Sequence, residues 1–291
     1  MKSAPFSYHA PASLDEATDL LVELGGDGGA RALAGGQSLL PLMHLRKVRP
    51  RHVIDLNRVA GLDAVQRTEG QLRIGAMVRQ STAERLPLVR DGCPLLVEAL
   101  DWVGTPQIRN RGTVGGSVAH GDPRGEIPAV AVALDAQIVV RDSRRSRTLT
   151  ADAFFTGPFA TTLAPDELIV EIRIPWRGAR IGWSFEEVAL QRRGPAVVAA
   201  AAVVELGPRG EIAEVRLALS GVAGTAIRRH SAEELLRGEM PSDAAFAAAS
   251  ERAAEHLAAS SDAFASAEYR RHLACLLTGR ALRVCVERAA Q

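Results

Sequence analysis

The sequence predicts an α+β fold in three parts, and three observations carry that expectation. Capped helical patterns and short apolar runs of strand length share the first 175 positions. Two pairs of such runs flank turn-forming residues in the manner of hairpins. Helical periodicity then takes over in the last third. The expected parts are residues 1–52, 53–176 and 177–291, and 291 residues give each room for a core.

In chain order, Ser13-Leu14-Asp15-Glu16 is a capping box, and Leu14, Ala17, Leu20, Leu21 and Leu24 follow at helical spacing up to Gly25-Gly26. Residues 30–34 read as a strand. The first unit should close near Pro50, with residues 52–56 beginning the next element. Residues 62–66 and 71–74 flank Thr68-Glu69-Gly70 as a hairpin, and Ser81-Thr82-Ala83-Glu84 is a second capping box. Pro94 suits the first turn of a helix reaching Trp102. Residues 137–140 read as a strand, 142–147 as a solvated basic turn, and 168–174 as a strand ended by Pro175. A boundary is expected at 176–179. Beyond it, residues 196–206 and 212–222 flank Gly207-Pro208-Arg209-Gly210 as a hairpin whose Ala-rich first arm is taken as strand because of its valine pairs. Three helices complete the chain: 231–238 with a capping box from Ser231 to Glu234, 242 to about 258, and 266–287 with Leu273, Leu276, Leu277 and Val284 as its core stripe.

Composition excludes several function classes. Thirty-five basic against 34 acidic residues leave a net charge of +1, which gives no general attraction for nucleic acid or membrane surfaces. The start MKSAPFSYHAPAS lacks an apolar signal core, and the most hydrophobic run, 196–206, is shorter than the roughly 20 residues a membrane helix requires. A cytoplasmic protein is expected. Cys93, Cys275 and Cys285 are too few and too scattered for a disulfide framework or a four-thiolate cluster, and the seven histidines show no metal-ligand spacing.

Two stretches carry chemistry. In Ala32-Leu33-Ala34-Gly35-Gly36-Gln37-Ser38-Leu39-Leu40-Pro41 an apolar run enters two glycines and then polar residues. Glycines there allow positive φ and close approach, and successive N–H groups in such a turn form an anion-binding concavity. Thr113-Val114-Gly115-Gly116-Ser117-Val118-Ala119-His120-Gly121-Asp122-Pro123 repeats the arrangement. Two such turns would grip an elongated anion such as a diphosphate joining two ring systems. Neither fits the G-x-G-x-x-G fingerprint or the P-loop.

Residues 33–46 (LAGGQSLLPLMHLR) and 108–126 (IRNRGTVGGSVAHGDPRGE) closely resemble the two flavin loops of the FAD-binding medium subunits of molybdenum hydroxylases, the carbon monoxide dehydrogenase and xanthine dehydrogenase type. Ile74-Gly75-Ala76, Phe154-Phe155-Thr156-Gly157 and Asp166-Glu167-Leu168-Ile169 extend the resemblance over almost the whole chain. It implies a two-part FAD-binding domain of the PCMH/CO dehydrogenase flavoprotein type plus a C-terminal α+β domain. It further implies FAD contacts at Ala32, Leu33, Ala34, Gly35, Gly36, Gln37, Ser38, Leu39, Leu40, Thr105, Thr113, Val114, Gly115, Gly116, Ser117, Ala119, His120, Gly121, Asp122, Glu126 and Leu168. Asp122 admits a second reading, as N-cap of a helix with Pro123 at its first position.

No residue stands out as an acid, base or nucleophile, and no metal site is expected. The resemblance implies an oxidoreductase subunit that is not competent alone. Electrons would come from an iron–sulfur small subunit and a molybdopterin large subunit in a heterotrimer that dimerises, and leave for an external acceptor. The alternative is a self-sufficient FAD-dependent oxidase of the wider family. One departure stands out: where many relatives read Phe-Glu-Lys, this chain has Phe185-Glu186-Glu187, a carboxylate where a cation would favour negative charge on a reduced flavin.

Overall fold

The computed structural model describes residues 2–26, 29–68, 70–175 and 180–291. Helix α1 (Leu14–Leu24) follows β1 (Ser7–His9) and begins as its capping box requires. Ser13 Oγ accepts from Glu16 N, and Glu16 reaches back to Ala12 N at 2.9 Å. Strand β2 (Ala30–Leu33), helix α2 (Leu39–His44) and β3 (His52–Asp55) complete a parallel sheet of order β1-β3-β2. Residues 52–56 therefore do not begin the next unit: β3 is the central strand of the first sheet, because only there do both neighbours satisfy its backbone. Ala17 and Leu21 pack on Ala30 and Ile54 beneath that sheet.

The second sheet is antiparallel, of order β4-β5-β10-β6-β7. Its first hairpin is β4 (Val65–Thr68) and β5 (Gln71–Gly75). Six short helices come next: α3 (Gln80–Arg85), α4 (Pro87–Gly92), α5 (Pro94–Trp102), α6 (Pro106–Arg111), α7 (Val114–His120) and α8 (Glu126–Ala133). Proline opens α4, α5 and α6, where its missing N–H has no helical partner to lose. Ser81 lies inside α3, whose N-cap is Arg79, so that capping box is not used. The hairpin β6 (Gln137–Arg141) and β7 (Ser146–Thr150) turns at Asp142, whose Oδ1 accepts from Arg144 N and Arg145 N, a solvated tip. Helix α9 (Ala151–Phe154) leads to the small ribbon β8 (Phe155–Gly157) and β9 (Ala160–Thr161), and β10 (Leu168–Pro175) returns through the centre of the sheet. The boundary expected at 176–179 lies outside the described residues.

The third sheet runs β11 (Ile181–Ala189), β12 (Ala196–Leu206), β13 (Ile212–Ser220) and β14 (Ile227–Arg228), all antiparallel. The Ala-rich run is a strand because both its faces are buried. Ala199 and Ala201 face the second part, while Val198, Ala200 and Ala202 face the last helices. Helices α10 (His230–Leu236), α11 (Asp243–Ala254) and α12 (Ala267–Ala289) cover the outer side. Ser231 is inside α10 rather than its cap, whereas Ser242 and Ser266 cap α11 and α12. The inward stripe of α12 is Leu273, Ala274, Leu277, Ala281, Leu282 and Cys285. Leu276 is exposed and Val284 half-buried, so the expected stripe shifts toward small residues that let the helix lie close to β12. A Cβ on Gly182 would run into the Cys285 carbonyl. Buried Arg270 of α12 donates from Nη1 to the carbonyls of Val197 and Gly221 (2.5 and 3.0 Å) and from Nη2 to Asp262 at 2.7 Å. Cys93 and Cys285 are buried, and Cys275 is half-buried. Burial pushes the Cys93 thiol up to about 12 and the Cys285 thiol well above its ordinary value.

Candidate functional site

The carboxyl ends of β2 and β3 open onto a cleft of about 680 Å3 between the first and second parts, of the size that small-molecule sites occupy. Its walls include Ala32, Ala34, Gly35, Gly36, Gln37, Ser38 and Leu39 on one side. Thr113, Gly115, Gly116, Ser117, Ala119, His120 and Leu168 contribute the other. Of the residues the sequence nominated, Leu33, Leu40, Thr105, Val114, Gly121, Asp122 and Glu126 are not on these walls.

The first glycine pair is a true turn. Gly36 has φ +77°, and the N–H groups of Gly36, Gln37 and Ser38 donate to no group among the described residues. Gln37 Nε2 donates to Gly35 O at 3.3 Å, and the Ser38 hydroxyl makes no cap bond. Three neighbouring unpartnered N–H groups, and a hydroxyl with no cap bond, thus belong to residues of the cleft wall, the makings of an anion cradle. The turn is held from behind by residues that sequence reading missed. Asn57 donates to the Ala34 carbonyl at 3.1 Å and also to Asp55. The Arg79 guanidinium donates to Asn57 Oδ1 and to the Arg111 carbonyl. A Cβ on Gly35 would collide with that same Arg111 carbonyl, so Gly35 is small for the sake of the protein's own backbone. Burial acts to raise the Asp55 carboxyl, but hydrogen bonds from Tyr8 and Asn57 outweigh it and hold it low.

The second glycine pair differs from expectation. Gly115 and Gly116 occupy the first turn of α7, neither has positive φ, and their N–H groups are already engaged. Thr113 is the N-cap, accepting from Gly116 N at 3.0 Å, while Val114 N and Gly115 N donate to the carbonyls of Val78 and Ala76 at 3.0 and 2.9 Å. Ser117 N donates to Thr113 O. This side of the cleft therefore offers a side chain rather than backbone donors. Buried Gln80 donates from Nε2 to Ser117 Oγ at 2.9 Å, which leaves the Ser117 proton free to point elsewhere. Gln80 itself lines the cleft, but its Oε1 is fully buried and without a partner among the described residues.

At the far end, the His120 ring leans on Phe159 at 5.0 Å between centroids, and Phe159 N donates to Gly121 O at 3.0 Å. Phe159 has φ +55° and is half-exposed on the cleft wall. Burial lowers the basicity of His120, against the pull of Asp122, so the ring favours its neutral form. Asp122 is not the cap of α8. Its Oδ1 accepts from Arg124 N at 2.9 Å, a local turn that delays the helix until Gly125 caps it. Glu126 is then the first residue of α8, and burial pushes its carboxyl up to about 7.

Among the described residues there is no group of three or more His, Cys, Asp or Glu side chains that could hold a metal, and no helix is long and apolar enough to cross a membrane. The unpartnered N–H groups and a cleft of this volume fit a diphosphate flanked by ring systems.

Comparison with known proteins points the same way. Residues 4–177 match the FAD binding domain in molybdopterin dehydrogenase, and residues 183–284 match the CO dehydrogenase flavoprotein C-terminal domain. The chain is 38% identical over 285 residues to the carbon monoxide dehydrogenase medium chain of Hydrogenophaga pseudoflava, covering 98% of each. It is 41% identical over 273 residues to the nicotine 6-hydroxylase medium subunit of Paenarthrobacter nicotinovorans, covering 94% of each. Among solved structures, it superposes on quinoline 2-oxidoreductase from Pseudomonas putida 86 with a TM-score of 0.95 at 35% identity, covering 100% of both chains. The fold is thus shared over the full length, and the chain belongs to the molybdopterin-dehydrogenase flavoprotein family as an FAD-binding medium subunit of the molybdenum hydroxylase type.

Proposed function

We propose that FAD lies in the cleft with its diphosphate on the N–H groups of Gly36, Gln37 and Ser38 and its remaining length along Ser117, His120 and Leu168. The observation that carries this placement is the set of unpartnered N–H groups at positive-φ Gly36, which have a fixed direction and need no reorganisation to meet an anion. Ser117, already accepting from Gln80, donates its proton toward the ligand. The His120–Phe159 pair closes the far end with ring faces. The remaining nominated contacts, Leu33, Leu40, Thr105, Val114, Gly121, Asp122 and Glu126, belong to the same reading as residues behind or beyond the walls.

The flavin, when bound, accepts and releases electrons, and the residues around it bind, orient and shield it. In this reading an iron–sulfur small subunit and a molybdopterin large subunit supply the electrons in a heterotrimer that dimerises, an external acceptor removes them, and the complex is cytoplasmic. The names of relatives as medium chains of dehydrogenase and hydroxylase complexes support a multi-subunit assembly. Purified alone, the chain is expected to carry flavin that acid releases into solution, because Cys93 and Cys285 are buried away from the cleft and no attachment motif is present. Dithionite should bleach that flavin, whereas carbon monoxide, purines, aldehydes and N-heterocycles should not. Bleaching by any of these substrates without partners would sink the subunit reading.

A further inference from the structure

We propose that Glu126 and Glu187 act as one proton-binding site that fastens α8 to the C-terminal sheet, with one of the two carboxyls kept protonated at neutral pH. Glu187 is 6% exposed, and neither of its carboxylate oxygens has a hydrogen-bond partner among the described residues. An ionised carboxylate buried in that state would forfeit its hydration with nothing in return, whereas a protonated one would not. Register places the group. Glu187 pairs with Ala199 and Ala199 with Ser220, so the three share one face of the sheet, the face that packs on α8. Ser220 Oγ is fully buried and likewise unpartnered. Ala199 between them is small, and Glu126 is the first residue of α8, the helix that packs on this face.

Among the described residues no cation pairs with Glu187. On α8 the ionisable neighbour is Glu126 itself, and in the preceding loop Arg124, drawn to Asp122 at 3.5 Å, acts to lower the Glu126 carboxyl without outweighing its burial. On α5, Glu98 is held by Arg288 and Asp101 by Arg192 and Arg193. Strands β12 and β13 contribute only Ala199 and Ser220 at this level, and Glu186 points to the opposite side, toward α12. Burial first, and then Glu126, push the Glu187 carboxyl up to about 9. Buried Glu187 and part-buried Glu126 resist ionising together, because each charge raises the cost of the other, so the pair titrates as a unit. The junction is tied to the cleft, because Gly221 N, next to Ser220, donates to Pro123 O at 2.9 Å in the loop that follows α7.

The folded chain then holds a proton that the unfolded chain has lost above the ordinary carboxylate range. Stability contributed by this site is full below that range and declines as pH rises through about 7 and about 9. The test is thermal denaturation of the full chain from about pH 5 to about pH 9, for wild type, Glu126→Gln, Glu187→Gln and the double variant. Glu187→Gln should gain progressively on wild type as pH rises, and the double variant should gain less than the sum of the singles. Parallel wild-type and Glu187→Gln curves would overturn the proposal. Infrared spectroscopy of wild type alone provides a second decision: a protonated carboxyl band that persists at neutral pH supports the site, and its absence overturns it. Loss of that band in Glu187→Gln, where the variant folds, assigns the proton to the pair.

Discussion

The two glycine pairs at the cleft have nearly the same sequence and opposite uses. Gly35-Gly36 is a turn with free N–H groups, whereas Gly115-Gly116 is a helix start whose N–H groups are spent on Thr113, Ala76 and Val78. The difference comes from what precedes each pair. Thr113 caps α7 and draws the second pair into helical geometry, while Leu33 and Ala34 deliver the first pair from the end of a strand with no capping side chain. A shared motif of small residues therefore reports close approach, and the partner approached has to be found in the fold. For Gly35 and Gly115 that partner is the protein's own backbone.

The largest effect should come from Gly115→Val. A Cβ there would meet Ala76 Cβ at 2.5 Å and its carbonyl oxygen at 2.7 Å, contacts with backbone that cannot swing aside. Overpacking of this kind costs about 1–3 kcal/mol or more, and denaturant unfolding should show it with or without FAD. An unchanged midpoint would mean the two elements can separate freely. Next is Gly36→Ala, where φ +77° is disfavoured by about 1–2 kcal/mol for an L-residue. The nearest atoms to the new Cβ are flexible ends of Leu40 and Leu33, so the fold should survive while FAD affinity falls roughly tenfold. Equal affinity by fluorescence titration would remove the first loop as the diphosphate cradle.

Smaller is Ser117→Ala, which deletes one donor and should weaken FAD by about 0.5–1.5 kcal/mol, with Gln80→Leu showing much the same loss if Gln80 acts only by orienting Ser117. A Gln80→Leu effect without a Ser117→Ala effect would mean that Gln80 shapes the wall itself rather than orienting Ser117. The smallest is Gly116→Ala. Its Cβ would crowd Thr113 Oγ1 at 2.6 Å and weaken a cap worth about 1 kcal/mol. Alanine's helix preference returns roughly 0.8–1.0 kcal/mol. Stability should hardly change, in contrast to Gly36→Ala, and a loss of several kcal/mol would show that the second pair is more than a helix start.

Local chemistry was legible wherever a residue's neighbours in sequence are also its neighbours in space. The Ser13 cap, Pro94, the β12–β13 hairpin and the helix starts at Ser242 and Ser266 are of this kind. The boxes at Ser81 and Ser231 failed because S-x-x-E also fits the interior of a helix that an upstream residue has already begun. The cleft's walls were largely readable from the two motifs. Their supports were not, since Asn57, Arg79 and Gln80 reach the site only through the packing of α3 and β3 against the loops. Glu187 was visible as an unusual residue, yet its burial on the inner face of the third sheet depends on strand register that no short pattern encodes.

The placement of the cysteines bears on how the chain survives its own chemistry. A reduced flavin that meets oxygen yields peroxide beside the protein that carries it. Oxidation of cysteine requires an accessible thiolate. Cys93 and Cys285 are sealed in the core with thiols pushed up by burial, and Cys285 spends its hydrogen on the Ala202 carbonyl at 3.4 Å. Half-buried Cys275 on α12 also has its thiol raised, by burial and by Glu251. The chain is thereby insulated against the by-product of its cofactor, and native-state alkylation followed by mass spectrometry should mark Cys275 first and leave the other two untouched until the fold opens.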